Sequence, residues 1–570
     1  MTNRSVIITV LIAFLTGHLV LSQDNGLPEE FPEFEFLVKE EGTSEGYLFI
    51  APFEKWGTWD NFPPYMIIMD DRGTPVFYES TGGTPVYDFK LQPNGMITFY
   101  GSDRGTHFHI MDSLFRDVSD LYGDGSGSDF HELVLLENGN YLMISWDDRL
   151  VDMDTVIPGG HKGVTVRGNK IQEFTVNNEL VREYNTWDYY EITDTYEVFV
   201  SLTDPSFIDF VHLNAIELDT DTTMLLCPRN LNEITRVDRV TGEVIWRLGG
   251  KNNMFTFIND DIRFSMPHDI RKLPDGNIQL FDNGVEHSPQ FSSVIEYEVD
   301  EAEMTATLVS RFRSDPDDIF GLIMGSARRL ENGNVLAGWG SGSPNLTEFR
   351  PDSSKVLEIS FEGQHYRAFR YSWEPKVFSF ETDTVNFGEV LINSPAELEI
   401  RVTNNYHDTV QINNVVIFEE AFEMPSGQLP LALEPDSTGT LILHFNPSDT
   451  GQYRDRITVC YDHMYQERYR RFAKQLTVEG YGWSDAGLDE SRKPEAKLYP
   501  NPGHGLITLE SKHPVTKVIF RDTRGSAGKT FVFGPSPKHT ISARGLSPGL
   551  YLVEIHFDNG SKNTLKYLKE

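Results

Sequence analysis

The sequence predicts an all-β protein of several domains, and three observations carry the prediction. An apolar strand, a tight Asn-Gly or Asp-Gly turn and a second apolar strand recur, with the turn at a constant distance from one position. Phe and Tyr are abundant, 38 and 23 of 570 residues, and aromatic side chains favour strands. Beyond residue 375, short segments of alternating apolar and polar residues continue, separated by Gly, Pro and Asp.

The repeat comes first. Its copies are Tyr87-Asp-Phe-Lys-Leu-Gln-Pro-Asn94-Gly95, His131-Glu-Leu-Val-Leu-Leu-Glu-Asn138-Gly139, His268-Asp-Ile-Arg-Lys-Leu-Pro-Asp275-Gly276 and Gly325-Ser-Ala-Arg-Arg-Leu-Glu-Asn332-Gly333. A degenerate copy starts at His212. Asn-Gly and Asp-Gly are favoured in two-residue hairpins, where both central positions need positive φ, so each copy reads as a hairpin with such a turn. The intervals of 44, 81, 56 and 57 residues suit four-stranded propeller blades, one of them enlarged by an insertion. A propeller of about six blades over residues 40–372, closed by N-terminal strands, is the economical reading. A β-sandwich built of hairpins is the plainer one, but it does not explain the constant spacing.

In a propeller the first strand of each blade lines the central channel. Tyr87, His131, His212, His268 and Gly325 therefore form a ring around it. A lone histidine more often satisfies a core hydrogen bond than performs chemistry. Three in one register read as a polar constellation at a channel mouth.

Composition narrows the function classes. The formal charge of −37 makes nucleic acid and anionic membrane surfaces poor partners. Only Cys227 and Cys460 occur, placed in different domains, and no Cys/His spacing is of zinc type, so neither metal nor cofactor is expected. Asp120, Asp124 and Asp129 stand among Gly and Ser and could wrap calcium, but a solvated loop is the preferred reading. Residues 1–22, one cation followed by an apolar run, read as a signal peptide cleaved before Gln23, with no membrane insertion of the mature chain.

Several ordered strings then carry a resemblance. They are Asp209-Phe-Val-His212-Leu-Asn214, Pro228-Arg229-Asn230, Val244-Ile-Trp246-Arg-Leu-Gly249-Gly250, Met266-Pro-His268-Asp269, Leu280-Phe-Asp282-Asn283-Gly284 and Gly325-Ser326-Ala-Arg-Arg-Leu. Together they resemble the arylsulfotransferase family. The resemblance implies transfer of a sulfuryl group between phenols, without a nucleotide donor, on a histidine. It implies catalytic roles for His212 and His268, and substrate contacts at Asn214 and Arg229, with His131 and Asn283 added from the same ring and motif. The late glycine-rich stretch, where the family's nucleophile is expected, is Gly338–Asn345 and holds no histidine. An expected arginine is replaced by Glu286 and His287, while His161 and His365 have no supporting motif. A non-catalytic surface propeller binding a sulfated or phenolic ligand is the alternative.

Residues 376–483 read as an immunoglobulin-like sandwich. Leu398, Ile400 and Val402 alternate with Glu397, Glu399 and Arg401, and Val385-Asn-Phe-Gly388 with Phe445-Asn-Pro447 resembles the abnormal-spindle/hydin type. Its default role is a spacer. A polar linker, 484–495, follows. From Lys497 to Glu570 the charge reverses, 11 Lys/Arg against 5 Asp/Glu, which marks a separate module at 496–570. Leu498-Tyr-Pro-Asn-Pro-Gly503 and Leu546-Ser-Pro-Gly549-Leu-Tyr551 resemble the small β-sandwich that serves as the type A sorting domain of the type IX secretion system. That implies recognition by this machinery, a cell-surface or released product, and cleavage near the linker.

Overall fold

The computed structural model describes residues 26–54, 62–101, 104–124, 126–197, 200–484, 496–522 and 527–570. Residues 1–22, read above as a signal peptide, and nearly all of the expected linker lie outside these residues. The chain forms two compact units, one of Met1–Gly388, Ala396–Phe445 and Tyr453–Gly480, the other of Glu389–Pro395, Asn446–Gln452 and Tyr481–Glu570.

In the first unit six sheets stand side by side, antiparallel except where Phe207–Asp209 and Thr256–Ile258 add parallel edge strands. Their innermost strands are Val86–Leu91, Ser128–Leu135, Leu213–Thr220, His268–Lys272, Ser326–Arg329 and Gln364–Tyr371. Each of these packs against the next, and the last against the first, so they ring a central channel. The fold is a propeller. Gln364–Tyr371 hydrogen-bonds to Tyr47–Phe53, so one sheet is assembled from both ends of the propeller sequence.

The hairpins form where the sequence places them, but their turns are of another kind. Gln92, Leu136, Leu273 and Leu330 each donate to the carbonyl four residues on, which makes three-residue loops. Only the glycines Gly95, Gly139, Gly276 and Gly333 have positive φ, from 80° to 96°. In each loop glycine supplies the left-handed bulge residue, whether a proline (Pro93, Pro274) or a glutamate (Glu137, Glu331) opens it. The side-chain oxygens of Asn94, Asn138, Asp275 and Asn332 each accept from the N–H two residues on, at 2.9–3.1 Å.

Past the ring position the inner strands lose regular pairing. Register shifts fall between Tyr87 and Lys90, Leu213 and Ile216, and His268 and Arg271. Asp88, His212 and Asp269 have φ of 49°, 52° and 57°. Such bulges re-aim side chains. Here Asp88, Glu132 and Asp269 meet Arg367, and all four side chains are fully buried. Arg367 lies 2.8 Å from Asp88, 3.0 Å from Glu132 and 3.4 Å from Asp269, and donates to the Asn214 carbonyl at 2.7 Å. Lys90, Arg271 and Arg328 complete the cluster. Burial alone would raise the Glu132 carboxyl, but Arg271, Arg367 and Lys90 hold it well below the usual range.

The immunoglobulin-like strands continue a propeller sheet. Phe77, Tyr78 and Glu79 of the outer strand Pro75–Ser80 pair with Phe472, Arg471 and Arg470. Phe77 stacks on Phe115 at 4.2 Å, and Phe115 on Phe472 at 5.4 Å. Buried Glu79 lies 2.9 Å from Arg468, 2.8 Å from Arg470 and 2.5 Å from Arg104. Edge pairing, stacked rings and a compensated buried charge thus join sandwich to propeller. The second sheet of the sandwich holds Phe378–Phe380, Ala396–Asn404, Phe422–Glu423 and Thr438–Phe445.

In the second unit, five antiparallel strands between Ala496 and Lys569 form one sheet. The long strand Leu506–Asp522 pairs first with Ala496–Tyr499 and later with Gly549–Phe557, enclosing Ile507, Leu509, Val518, Phe520 and Tyr567.

Candidate active site

His268 opens its inner strand, His212 immediately precedes the next one back, Leu213–Thr220, and His131 is the fourth residue of Ser128–Leu135. The His131 and His212 rings meet edge to face at 4.8 Å. Each ring is fixed through Nδ1. His131 Nδ1 pairs with the buried Asp129, which also accepts from Trp146 Nε1 at 2.8 Å and Asn169 Nδ2 at 3.2 Å. His212 Nδ1 lies 2.7 Å from Asp209 Oδ2, and His268 Nδ1 lies 2.6 Å from Asn283 Oδ1.

These partners settle the tautomers. An ionised carboxylate only accepts, so His131 and His212 carry their proton on Nδ1. Asn283 Nδ2 donates to the Gly321 and Met324 carbonyls at 2.7 and 2.9 Å, which leaves its oxygen to face His268. All three histidines therefore keep a lone pair on Nε2. Burial first, then Arg229 and His212, hold His268 well below the ordinary imidazole range. His212 is lowered too, by burial against the opposing pull of Asp209. Its side chain is still 28% exposed, which makes it the open member of the set.

Arg229 supplies the cation. It starts a 3-10 turn, Arg229–Leu231, donates to Asn230 Oδ1 at 3.0 Å, and burial pushes its guanidinium down to about 10. Its field depresses both His212 and His268. An aromatic group adjoins His131: Phe130 stacks on it at 4.1 Å, Tyr87 lies 4.5 Å from Phe130, and Tyr366 lies 5.7 Å from the imidazole.

Asn214 and Asn283, two of the expected substrate contacts, also hold protein groups. Asn214 is buried and bridges the backbone on both sides of His268, donating to Pro267 O at 2.8 Å and accepting from Asp269 N at 3.4 Å. Asn283 has both N–H donors engaged, as above. A short polar side chain next to an inner strand competes for backbone groups, and here that competition positions the histidine. Asp120, Asp124 and Asp129 do not converge: Asp120 pairs with His109 and Asp129 with His131. In the late stretch, Trp339 is buried and Asn345 accepts from Phe361 N at 2.8 Å. His365 lies behind that stretch, buried, with burial pushing it down to about 3. His287 packs on Phe291 at 4.7 Å and lies 3.7 Å from Asp282.

Sequence reading missed the orienting groups. Asp129 and Asp209 stand two and three residues before their histidines, and that spacing was the available signal. Tyr366 and Arg367 had none, because they belong to the closing strand, which lacks the Asn-Gly turn.

A β-propeller with an imidazole and arginine cluster at its channel is the class that fold and site define. The chain belongs to the arylsulfotransferase family, whose model, arylsulfotransferase (ASST), matches residues 35–372. The abnormal spindle-like microcephaly-associated, ASPM-SPD-2-Hydin family matches residues 375–468, and the secretion system C-terminal sorting domain matches 497–570. The sorting domain marks the protein for export by type IX secretion, to the cell surface or beyond. No helix among the described residues is long and apolar enough to cross a membrane.

No curated protein matches the chain. Among solved structures it is similar to a protein of unknown function from Bacteroides caccae, at 12% identity over 57% of this chain and 98% of that one, TM-score 0.35. It is also similar to a catalytically inactive virginiamycin B lyase from Staphylococcus aureus with quinupristin, at 10% identity over 57% and 88%, TM-score 0.29. A human CEP192 ASH/PapD-like domain is similar at 11% identity over 19% and 86%, TM-score 0.15.

Proposed function

We propose that the propeller transfers a sulfuryl group from a phenolic sulfate ester to a second phenol, with His212 as its carrier. The supporting observation is the set of three imidazoles, each with its Nδ1 proton held by a partner, beside a buried arginine. His212 Nε2 attacks sulfur; the N–S bond forms as the S–O bond to the first phenol breaks. The departing phenolate takes a proton from solvent or a protonated neighbour. The second phenol then gives its proton to the Nε2 lone pair of His131 or His268 and attacks sulfur, and the N–S bond breaks. Asp209 stabilises the cationic ring of the intermediate, as a carboxylate does for an imidazolium. Arg229 faces the sulfuryl oxygens, where charge concentrates. Tyr87, Phe130 and Tyr366 offer an apolar seat for an aryl ring.

The test is release of 4-nitrophenolate from 4-nitrophenyl sulfate, with and without phenol. Phenol-dependent release, with phenyl sulfate as product, is expected. The missing histidine at Gly338–Asn345 favours a second reading, a binding propeller. Saturable binding of the ester with no phenol-dependent release would select that reading and overturn the first.

A further inference from the structure

A second cluster of ligating side chains lies away from the channel, on the two outer strands of the sheet that begins with Val86–Leu91. Phe108–Met111 and Asp117–Leu121 form a hairpin in which His109 and Asp120 are direct cross-strand partners. His107 stands in the bend just before this strand, and its ring lies 4.3 Å from that of His109. The ligating atoms of His107, His109 and Asp120 all lie within 4.8 Å of one another. His109 Nδ1 is 2.8 Å from Asp120 Oδ1, and His107 Nε2 is 3.5 Å from Asp120 Oδ2. A tetrahedral ion with bonds of ~2.0–2.1 Å separates its ligand atoms by about 3.3 Å, so small side-chain shifts suffice.

The surroundings prearrange the rings. Phe99 stacks behind His109 at 5.0 Å, and Tyr122 stacks on His107 at 4.4 Å. A Cβ at residue 105 would come within 2.5 Å of the His107 ring, so Gly105 is what admits it. Burial lowers His109, favouring the neutral ring a metal needs, and its Nε2 is buried without a hydrogen-bond partner. Asp120 is half exposed, which leaves the site open to solvent on one side.

We propose that His107, His109 and Asp120 bind a divalent transition-metal ion, with zinc the best match to two imidazoles and one carboxylate. Water fills the remaining position. The Asp120–His109 hydrogen bond gives way to two metal bonds, and the His109 proton passes to Nε2 against the aromatic wall. That proton finds no acceptor there, so the ion is exchangeable rather than a structural staple. Linear spacing hid the site: its members are two and eleven residues apart and meet only because the hairpin register pairs 109 with 120.

The test titrates the chelator-treated full chain with Co²⁺, reading visible absorption, then displaces it with Zn²⁺. One equivalent with the d–d bands of a low-coordinate nitrogen/oxygen site is expected. Asp120→Asn, which retains the cross-strand hydrogen bond, and His107→Ala should each weaken binding about a hundredfold while the circular dichroism stays unchanged. His212→Ala should bind cobalt as the parent does. No saturable binding, parental affinity in both hairpin variants, or loss of binding in His212→Ala would each overturn the proposal.

Discussion

Replacing His212 by alanine is expected to lower kcat/KM for phenol-dependent aryl sulfate turnover about a thousandfold or more, some 4 kcal/mol of barrier. The loss follows from removing both the attacking Nε2 and the ring that Asp209 compensates. Removal of His268 should cost less, about a hundredfold, because His131 offers a second lone pair for the phenol proton. The pH profile carries the same signature. His212 and His268 are lowered from the ordinary imidazole range, so both remain neutral as pH falls through 6.5. The acid limb of kcat/KM should therefore lie below pH 6.5, since protonation removes the lone pair only at the depressed value. An acid limb at or above that pH would show that these rings titrate as solvated imidazoles.

Arg367→Met should destabilise the first unit by about 3–5 kcal/mol, measured as a shift in the urea unfolding curve. The guanidinium touches Asp88, Glu132 and Asp269 from the centre of the channel, with every side chain fully buried. Methionine fills similar volume but leaves three carboxylates to Lys90, Arg271 and Arg328. Breaking one member of a buried ionic cluster costs more than the cluster contributes, because the surviving charges stay out of water. The same substitution removes the donor to the carbonyl of Asn214, which stands in the strand Leu213–Thr220, two residues after His212. An unchanged unfolding midpoint would mean that water reaches the cluster.

Much of this architecture was legible in the chain because it repeats. A fixed seven-residue offset between ring position and turn can arise only from a register, and the register placed His131, His212 and His268 on inner strands. The turn class is not legible from the dipeptide, because Asn-Gly and Asp-Gly fit both two-residue and three-residue hairpin loops. The ionic cluster left no linear trace. Asp88, Glu132 and Asp269 each sit one residue past a ring position, but their partner Arg367 is on the closing strand, which carries no copy of the repeat. The joining of Phe77 to Phe472 was equally hidden, since edge pairing between distant strands depends on tertiary placement rather than on either strand's pattern. The backbone bonds of Asn214 and Asn283 were hidden for the same reason: sequence shows a polar side chain near a channel but not which backbone groups engage it.

On the proposed mechanism His212 carries the sulfuryl group. The most direct test is rapid mixing of the protein with excess 4-nitrophenyl sulfate without acceptor, quenched at neutral pH and mapped by peptide mass spectrometry. The account predicts a stoichiometric burst of 4-nitrophenolate and one added SO₃ group on the His212 peptide, discharged when phenol is supplied. Phenol-dependent turnover with no burst and no modified histidine would contradict it and assign the chemistry to direct transfer between the two phenols.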